Sequence, residues 1–490
     1  MSYDLNGDGT PELVREIART DDDFLRPNGY QLKNGNAIET QAIYGYDSAG
    51  RLGTVSGGGN VSSPDLFTYG YTPNSDLLGS VTGPIHTVTN TWEENRTVLD
   101  LKANKVGSTV VSSYDYGVNA IGQRSGVVAS GSAFGTAKTT GWSYDALGQV
   151  TSADSTDNVA DRAYQYDAIG NRKKSADSLS LPGSDNYTAN VLNQYASVAA
   201  ITPEYDDDGN ATAYPLPAAP TVNSALAWDA ENRMTSTTVG GIVVSYSYDA
   251  QSRRIAQVST TGKITLYLYD GSQQIGEYLS EGAEFNVART YLWGSDLSGK
   301  MTKVDGIGGL LALKIHRAGG SGVYYPTYDG NGNITEYLSS IGTPVAHFEY
   351  DPSGRSVVDT DGSALFDMRF STKKLDFFSG LYYYGLRYFD PRSGRWLSKD
   401  PLSEKGGFNL YGFVANNAIG WVDKMGLDPW GHHIFPQKYW KNAPKDVKDV
   451  FNDPKNRIDE PGYKDHNGKR YNDVSEPDYS KACKDEMDDF

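Results

Sequence analysis

The sequence predicts a mainly β protein that is built as an array of repeated β-hairpins and ends in a small α+β domain. Three observations predict this fold class. A short phrase of an aromatic residue, Asp, two variable residues and usually Gly recurs along most of the chain. The stretches between the copies alternate with the two-residue period of a strand. Beyond residue 427 the phrase stops and the composition changes, which indicates a separate domain.

The spacing of the phrase gives the size of the repeating unit. Its clear copies are Tyr46-Asp47, Tyr144-Asp145, Tyr166-Asp167, Tyr205-Asp206, Tyr328-Asp329 and Tyr350-Asp351, and degenerate copies are Trp228-Asp229, Tyr248-Asp249 and Tyr269-Asp270. Subtracting the Asp positions gives 167 − 145 = 22, 249 − 229 = 20 and 351 − 329 = 22, a period near 21 residues. Two strands and two turns fit this length, so the repeats predict a long antiparallel sheet.

Each copy of the phrase predicts a tight turn. An Asp at the first corner accepts backbone N–H groups, and a Gly three residues later supplies a positive φ. The flanking stretch Tyr246-Ser247-Tyr248 places alternate aromatic rings on one face of a strand. Because no apolar period of 3.6 residues persists before residue 427, we expect the repeat region to be nearly all β.

Composition and charge restrict the possible functions. With 21 % charged and 38 % apolar residues the chain is not a disordered one, and it has no apolar run long enough for a membrane helix. The N-terminus lacks the features of a Sec signal peptide, so we expect any export to use other machinery. A single cysteine, Cys483, forms no intrachain disulfide. Since 44 basic residues face 61 acidic ones, a net charge of −17, any nucleic-acid chemistry must be local.

Near the C-terminal end the chain carries its most specific motif. Residues 380–401 read GLYYYGLRYFDPRSGRWLSKDP, and the pattern continues through 409–417 and 421–427. Together with the repeats, this stretch resembles the YD-repeat or Rhs proteins and their Rhs-associated core. The resemblance implies a hollow β-shell around a C-terminal toxin, a non-Sec route out of the producing cytoplasm and into target cells, secretion machinery and a cognate immunity protein. It divides the chain into a shell (1–370), a core (371–427) and a toxin domain (428–490).

Two aspartates in the core predict self-cleavage. Asp400 and Asp423 are 423 − 400 = 23 residues apart, the separation of the paired aspartates in the Rhs family. The resemblance implies that they cut the chain between Leu427 and Asp428. Two close carboxyl groups do not both ionise easily, so one donates a proton to the scissile carbonyl while the other activates water. The alternative interpretation is that both are ordinary turn residues.

The sequence around the two aspartates departs from the family pattern. Ser403 and Glu404 follow the first aspartate, and Lys424 replaces a proline after the second. A cation beside Asp423 is expected to lower the pKa of that carboxyl, which favours Asp423 as the water-activating base.

Three of the six histidines lie in the last 63 residues. Gly431-His432-His433, with Asn456 and His466, resembles the GHH group of HNH-like nuclease toxins. The resemblance implies that His432 and His466 bind a divalent metal ion (Mg, Mn, Zn or Ni), that His433 is the general base, and that Asn456 orients it, with Asn452 as a competitor. Neutral imidazole suits both tasks. The backbone phosphates of the DNA or RNA substrate are then expected to contact basic residues, namely Arg457, Lys469 and Arg470.

Other features of the tail leave alternatives open. Its 11 basic and 14 acidic residues give a net charge of −3, which is unusual for a nucleic-acid enzyme, and Arg470 occupies the place of a second distal His. The histidines also fit a structural zinc site in a small domain. Residues 444–453 and 475–490 are predicted to be helices.

A calcium loop is a further possibility near the N-terminus, since Asp4, Asn6, Asp8 and Gly9 have the required spacing. Arg15 stands where the closing acidic ligand belongs, and the segment also reads as one more repeat turn.

These patterns together predict the C-terminal portion of an Rhs effector, with a self-cleaving core and a metal-dependent nuclease tail. A structural or cell-surface binding YD-repeat protein with an inactive tail is the alternative, and a toxin that is not a nuclease is a third.

Overall fold

The computed structural model describes residues 2–3, 13–94, 96–281, 284–299, 306–317, 320–360 and 363–427. About 52 % of the described residues are in strands, and the same part of the chain contains no α-helix, only four short 3-10 helices. The predicted mainly β fold is therefore confirmed. Within these ranges there is also no helix of the length and apolarity that crossing a membrane requires.

A short antiparallel pair, β1 (Ser2–Tyr3) and β2 (Leu13–Val14), precedes the first large sheet. That sheet has fourteen strands, and each strand pairs with its neighbours in the chain. Its strands are β3 (Glu16–Asp21), β4 (Pro27–Asn34), β5 (Ala37–Tyr46), β6 (Leu52–Asn60), β7 (Ser63–Tyr71), β8 (Leu78–Thr82), β9 (Thr87–Trp92), β10 (Leu99–Val106), β11 (Thr109–Val118), β12 (Arg124–Ser130), β13 (Lys138–Tyr144), β14 (Val150–Ser155), β15 (Arg162–Tyr166) and β16 (Arg172–Ala176).

A separate hairpin of β17 (Tyr187–Ala189) and β18 (Tyr195–Val198) leads to a second fourteen-stranded sheet with the same sequential order. The second sheet contains β19 (Glu204–Tyr205), β20 (Ala211–Tyr214), β21 (Ser224–Trp228), β22 (Met234–Val239), β23 (Ile242–Tyr248), β24 (Arg254–Ser259), β25 (Ile264–Asp270), β26 (Gln273–Glu281), β27 (Glu284–Trp293), β28 (Leu310–Ile315), β29 (Gly322–Tyr328), β30 (Ile334–Leu338), β31 (Pro344–Tyr350) and β32 (Ser356–Asp359).

The Asp of each clear copy of the repeat phrase closes a turn in the predicted way, whereas Asp270 of the degenerate copy Tyr269-Asp270 ends β25 and pairs with Gln273 of β26. In the turn after β5, Asp47 Oδ1 accepts the N–H groups of Ala49 and Arg51, both at 2.9 Å, and the Asp47 carbonyl accepts the Gly50 N–H. Gly50 has a φ of +79°, a conformation that costs glycine little. Degenerate copies adopt the same turn with Asn232 or Ser252 at this position, with φ of 60° and 58°.

An arginine at the end of the phrase connects one repeat to the next. Arg51 Nε donates to Asp47 Oδ2 at 2.8 Å, and its guanidinium carbon lies 4.1 Å from the centroid of the Tyr71 ring in the following repeat. The Tyr71 hydroxyl in turn donates to the carbonyl of Leu52 at 2.8 Å. The ion pair holds Arg51 within its own turn, and the cation–π contact and the hydrogen bond from the Tyr71 hydroxyl to the Leu52 carbonyl join it to the neighbouring repeat.

The two large sheets pack against each other through one shared hydrophobic core. Leu32, Val55 and Phe67 of the first sheet are buried in the same cluster as Leu292 and Tyr291 of the second. The close approach occurs at a glycine: a methyl group on Gly57 would lie 2.8 Å from Leu292 Cδ1. The Tyr30 hydroxyl also donates to the Tyr291 carbonyl at 3.3 Å across this contact.

Residues 363–427, which we call the core segment, form a four-stranded sheet and four 3-10 turns. The strands are β33 (Lys374–Asp376), β34 (Leu381–Tyr383), β35 (Tyr388–Asp390) and β36 (Arg395–Trp396), and the turns are Ser363–Leu365, Phe370–Thr372, Ser403–Gly406 and Val414–Asn416.

The core segment contacts both large sheets. On the side of the first sheet, Asn416 Nδ2 donates to Gln149 Oε1 at 2.8 Å. On the side of the second sheet, the Tyr246 hydroxyl donates to Asp376 Oδ2 at 2.9 Å, and Lys374 pairs with Glu277 at 2.8 Å. The core segment thus bridges the two sheets and is itself fixed by them.

Candidate active site around a buried aspartate pair

The structure brings Asp400 and Asp423 together around a third residue, Arg387. Arg387 lies immediately before β35 and its side chain is 1 % exposed. Its Nη2 is 2.8 Å from Asp400 Oδ2 and 3.7 Å from Asp423 Oδ2. Two carboxyl groups that are distant in the sequence therefore share one buried guanidinium.

Asp400 is held in place by the backbone around it. Its N–H donates to the Leu410 carbonyl at 2.9 Å, and its Oδ1 accepts the Leu402 N–H at 2.8 Å. The Asp400 carbonyl accepts the Ser403 N–H at 2.9 Å, which closes a turn. One carboxylate oxygen thus stabilises the turn, and the other faces Arg387.

The two carboxylate oxygens of Asp423 also have different partners. Its Oδ1 accepts the N–H groups of Met425 at 3.1 Å, Gly426 at 2.7 Å and Leu427 at 3.3 Å. Its Oδ2 faces Arg387. The interpretation of the two aspartates as turn residues is correct for Oδ1 of each, but it does not account for the convergence of the two Oδ2 atoms.

The electrostatics of Asp423 differ from the expectation based on Lys424. Burial raises the pKa of Asp423 to about 6, and Arg387, the backbone N–H groups and Lys373 only partly oppose this rise. The predicted lowering of its pKa is wrong, because removal from water outweighs the nearby cations. Asp423 therefore suits the proton-donating role, and its assignment as the base is corrected.

Arg387 rests on an aromatic cluster that keeps the pair away from water. Its guanidinium carbon lies 4.3 Å from the centroid of the Trp396 ring, and Trp396 packs edge-on against Tyr384 and Phe413. Burial lowers the pKa of Arg387, and the charges of the two carboxylates oppose that shift. Because Arg387 lies closer to Asp400 than to Asp423, its electrostatic attraction is stronger for the Asp400 carboxylate.

The segment that precedes the predicted cleavage point is bound to the same arginine. Arg387 Nε donates to the Gly426 carbonyl, and the Leu386 N–H donates to the Met425 carbonyl at 3.2 Å. The Leu427 N–H points to Asp423 Oδ1. The residue on the N-terminal side of the predicted scissile bond is thus hydrogen-bonded to Asp423, one member of the aspartate pair.

Sequence reasoning missed Arg387, although it lies in the most specific motif. The pairing connects residues that are 400 − 387 = 13 and 423 − 387 = 36 positions apart, so no local spacing indicates it. The available signal was an arginine inside an otherwise apolar aromatic stretch, where a buried cation needs an anionic partner.

The remaining predicted site residues lie outside the described residues. These are the cleavage-point residue Asp428, the tail residues His432, His433, Asn456, Arg457, His466, Lys469 and Arg470, and the loop residues Asp4, Asn6, Asp8 and Gly9. The predicted tail helices lie there too. Arg15 is described, and it pairs with Glu39 at 2.9 Å. In the described ranges no three His, Cys, Asp or Glu side chains are grouped as a metal site would require.

The fold and the site define a class of protein: a YD-repeat β-shell with a core segment that buries an aspartate pair. The chain belongs to the teneurin YD-shell family, whose family model matches residues 85–419.

Curated relatives of this chain include a bacterial tRNA nuclease and a bacterial toxin subunit. The tRNA nuclease WapA of Bacillus subtilis (strain 168) is 29 % identical over 286 residues, 56 % of this chain and 11 % of WapA. The toxin subunit YenC1 of Yersinia entomophaga is 28 % identical over 311 residues, 55 % of this chain and 29 % of YenC1. This chain therefore spans between about a tenth and three tenths of the length of these relatives.

Among solved structures, the crystal structure of TcdB2-TccC3 superposes with a TM-score of 0.68. The match covers 84 % of this chain and 22 % of that one, at 18 % sequence identity. This similarity supports the shell fold.

Proposed function

We propose that this chain is the C-terminal part of a polymorphic toxin whose buried aspartates cut the chain after Leu427. The observation that carries this proposal is the convergence of Asp400 and Asp423 on Arg387, next to the segment that ends at Leu427. An acid–base pair needs one carboxyl group that keeps its proton, and the pKa of about 6 at Asp423, beside the cation-paired Asp400, supports this division.

The two carboxyl groups divide the proton transfers. Protonated Asp423 donates its proton to the carbonyl oxygen of Leu427, while ionised Asp400 takes a proton from the attacking water. The water oxygen bonds to the carbonyl carbon. When the tetrahedral intermediate collapses, the C–N bond breaks, the proton on Asp400 passes to the leaving amine of Asp428, and the intermediate's hydroxyl returns a proton to Asp423.

The proposed cargo is the tail, residues 428–490, acting as a metal-dependent nuclease. The GHH pattern supports this, and so does the relative WapA, which is named a tRNA nuclease. His433 serves as the base and His432 and His466 as ligands of a divalent ion, with DNA or RNA as the substrate. Since WapA and YenC1 are named as toxins or nucleases, we also propose delivery into target cells and a cognate immunity protein.

An intact-mass measurement tests self-cleavage directly. Purified wild type is expected to be cut between Leu427 and Asp428 and to give the masses of two fragments. The variants Asp400→Asn, Asp423→Asn and Arg387→Gln are each expected to give the full-length mass. Asp208→Asn, at an exposed turn position, serves as the matched control and should be cut like wild type. A wild-type chain that stays uncut for days at mildly acid and neutral pH contradicts the proposal.

Digestion of plasmid DNA and total RNA by the full chain, with and without a chelator, tests the nuclease. His433→Ala is expected to lower activity roughly 10²–10⁴-fold with metal affinity near normal. His432→Ala and His466→Ala are expected to weaken metal binding in calorimetry. Tight metal binding without cleavage of either nucleic acid, at every divalent ion tested, would favour a structural metal site.

A further inference from the structure

The backbone before the predicted cleavage point is clamped at three successive carbonyl groups. The Gly426 carbonyl accepts from Arg387 Nε, the Met425 carbonyl accepts from the Leu386 N–H at 3.2 Å, and the Lys424 carbonyl accepts from Lys373 Nζ. The next carbonyl along the chain is that of Leu427, the predicted scissile group. The clamp therefore fixes the path of the chain directly before the bond to be cut.

Lys373 differs from the other donors because it approaches from a separate element. It follows the 3-10 turn Phe370–Thr372, about fifty residues before its partner, and its Nζ lies 5.5 Å from the centroid of the Tyr384 ring. Its position beside the buried aromatic cluster means that its positive charge is only partly screened by water.

The charge of Lys373 also acts on Asp423. Burial raises the pKa of Asp423, and Lys373 lowers it again. The ionisable groups that face or adjoin Asp423 are Arg387 at 3.7 Å, Asp400 at the same Nη2 of that guanidinium, Lys373, the buried Tyr384 hydroxyl and the neighbouring Lys424. Lys373 thus contacts the cleaved segment and also adjusts the carboxyl group that is proposed as the acid.

We propose that Lys373 is a positioning residue for self-cleavage, which holds the Lys424 carbonyl and thereby the backbone that leads to Leu427. The inference rests on the proposed self-cleavage at this site. It assigns to Lys373 no contact with the reacting atoms.

The experiment compares cleavage rates of full-length chains between pH 4 and pH 8 by intact mass. Lys373→Met removes the charge and the donor but keeps much of the side chain, so cleavage is expected to slow roughly ten- to hundredfold, the usual effect of losing a charged hydrogen bond. Because the pKa of Asp423 rises without the cation, the decline in rate at high pH should move to higher pH. Lys373→Arg should restore most of the rate, and Lys405→Met, at an exposed lysine of the core segment, should match wild type.

The outcomes separate the two claims. If wild type is cut and Lys373→Met is cut at the same rate with the same pH profile, the role of Lys373 is refuted and self-cleavage stands. A slower rate with an unshifted profile and no rescue by Lys373→Arg reduces Lys373 to a structural residue and refutes the proposal. Thermal melting shows whether Lys373→Met folds. If it does not fold, the pH profile of cleavage in Lys373→Arg, compared with that of wild type, decides the role of Lys373. An uncut wild type refutes both claims.

Discussion

At the scale of single residues, the buried histidines show how the surroundings of a side chain set its charge. His347 lies between two carboxylates, with Nδ1 2.8 Å from Glu336 Oε1 and Nε2 3.2 Å from Glu349 Oε1. Burial alone would lower the pKa of His347, but these hydrogen bonds raise it to about 9. The protonated form therefore bridges β30 and β31 at neutral pH.

This bridge predicts a loss of stability in alkali. The pKa of His347 in the folded protein is above its value of about 6.5 in the unfolded chain. The stabilisation that protonated His347 gives to the folded state is therefore complete below pH 6.5 and is lost as the pH rises through about 9. Chemical denaturation between pH 6 and pH 10 should show this slope, and His347→Gln should remove it, with a cost of about 2–3 kcal/mol at neutral pH. An unchanged slope in that variant would show that other groups cause it.

His86 provides the opposite case and a matched control. Its side chain is buried, Nδ1 has no hydrogen-bond partner among the described residues, and burial lowers the pKa to about 4. Since the folded pKa is below the unfolded one, stability falls as the pH drops from about 6.5 towards 4. His86→Gln should reduce this acid slope and leave the alkaline slope of His347 unchanged.

The sequence predicted the aspartate pair of the site but not its charge state. The 23-residue separation of Asp400 and Asp423 is visible in the sequence, and the structure places both side chains on one guanidinium. The adjacent Lys424 suggested a lowered pKa at Asp423, but burial, which a sequence does not display, dominates. The proposed tail chemistry at His432, His433 and His466 stays a prediction.

At the scale of elements, the repeat turns were predictable because their chemistry is local. Asp, Gly and the aromatic residue act within a few positions of each other, and the structure confirms the turns at Asp47, Asp145 and Asp351. The turn at Asp22 was missed, since Leu25 occupies the glycine position with a φ of 60°. The packing of one large sheet on the other was also not predicted, because it pairs residues more than two hundred positions apart.

The arginine of the repeat phrase predicts a measurable coupling between neighbouring repeats. In a double-mutant cycle of Arg51→Met and Tyr71→Leu, we expect a coupling energy of about 0.5–1 kcal/mol from the cation–π contact, measured by chemical denaturation. Gln123 and Tyr144 occupy the equivalent positions without a cation, and the Tyr144 hydroxyl keeps its hydrogen bond to the Arg124 carbonyl at 2.7 Å. Gln123→Met with Tyr144→Leu should therefore show almost no coupling. Equal coupling in both cycles would assign the effect to packing.

At the scale of the whole molecule, the core segment adds contacts between two sheets that already meet through their hydrophobic faces and through ion pairs such as that of Arg162 with Asp351 at 3.0 Å. One connection to the second sheet is a cluster of four charges. Lys374 Nζ is 2.8 Å from Glu277 Oε2 and 2.5 Å from Asp367 Oδ2, and Arg289 Nη1 is 2.6 Å and 3.2 Å from the same two residues. Burial would raise the pKa of both acids, but the two cations hold them down, that of Asp367 at about 2.

Removing one cation from this cluster should destabilise the whole chain and slow its proposed self-cleavage. Lys374→Met leaves two buried carboxylates to share Arg289, at an expected cost of about 3–5 kcal/mol at neutral pH. Because the pKa values of both acids are lowered, the cluster stabilises the wild-type fold fully only above about pH 4. The difference in free energy of unfolding between wild type and the variant should therefore shrink as the pH falls towards 2. Lys263→Met, at an exposed turn, is the matched control for chemical denaturation. Because the core segment also carries Asp400 and Asp423, cleavage in the Lys374 variant should be slower with an unshifted pH profile. Stability equal to wild type at pH 7 would show that the two sheets hold the core segment without this cluster.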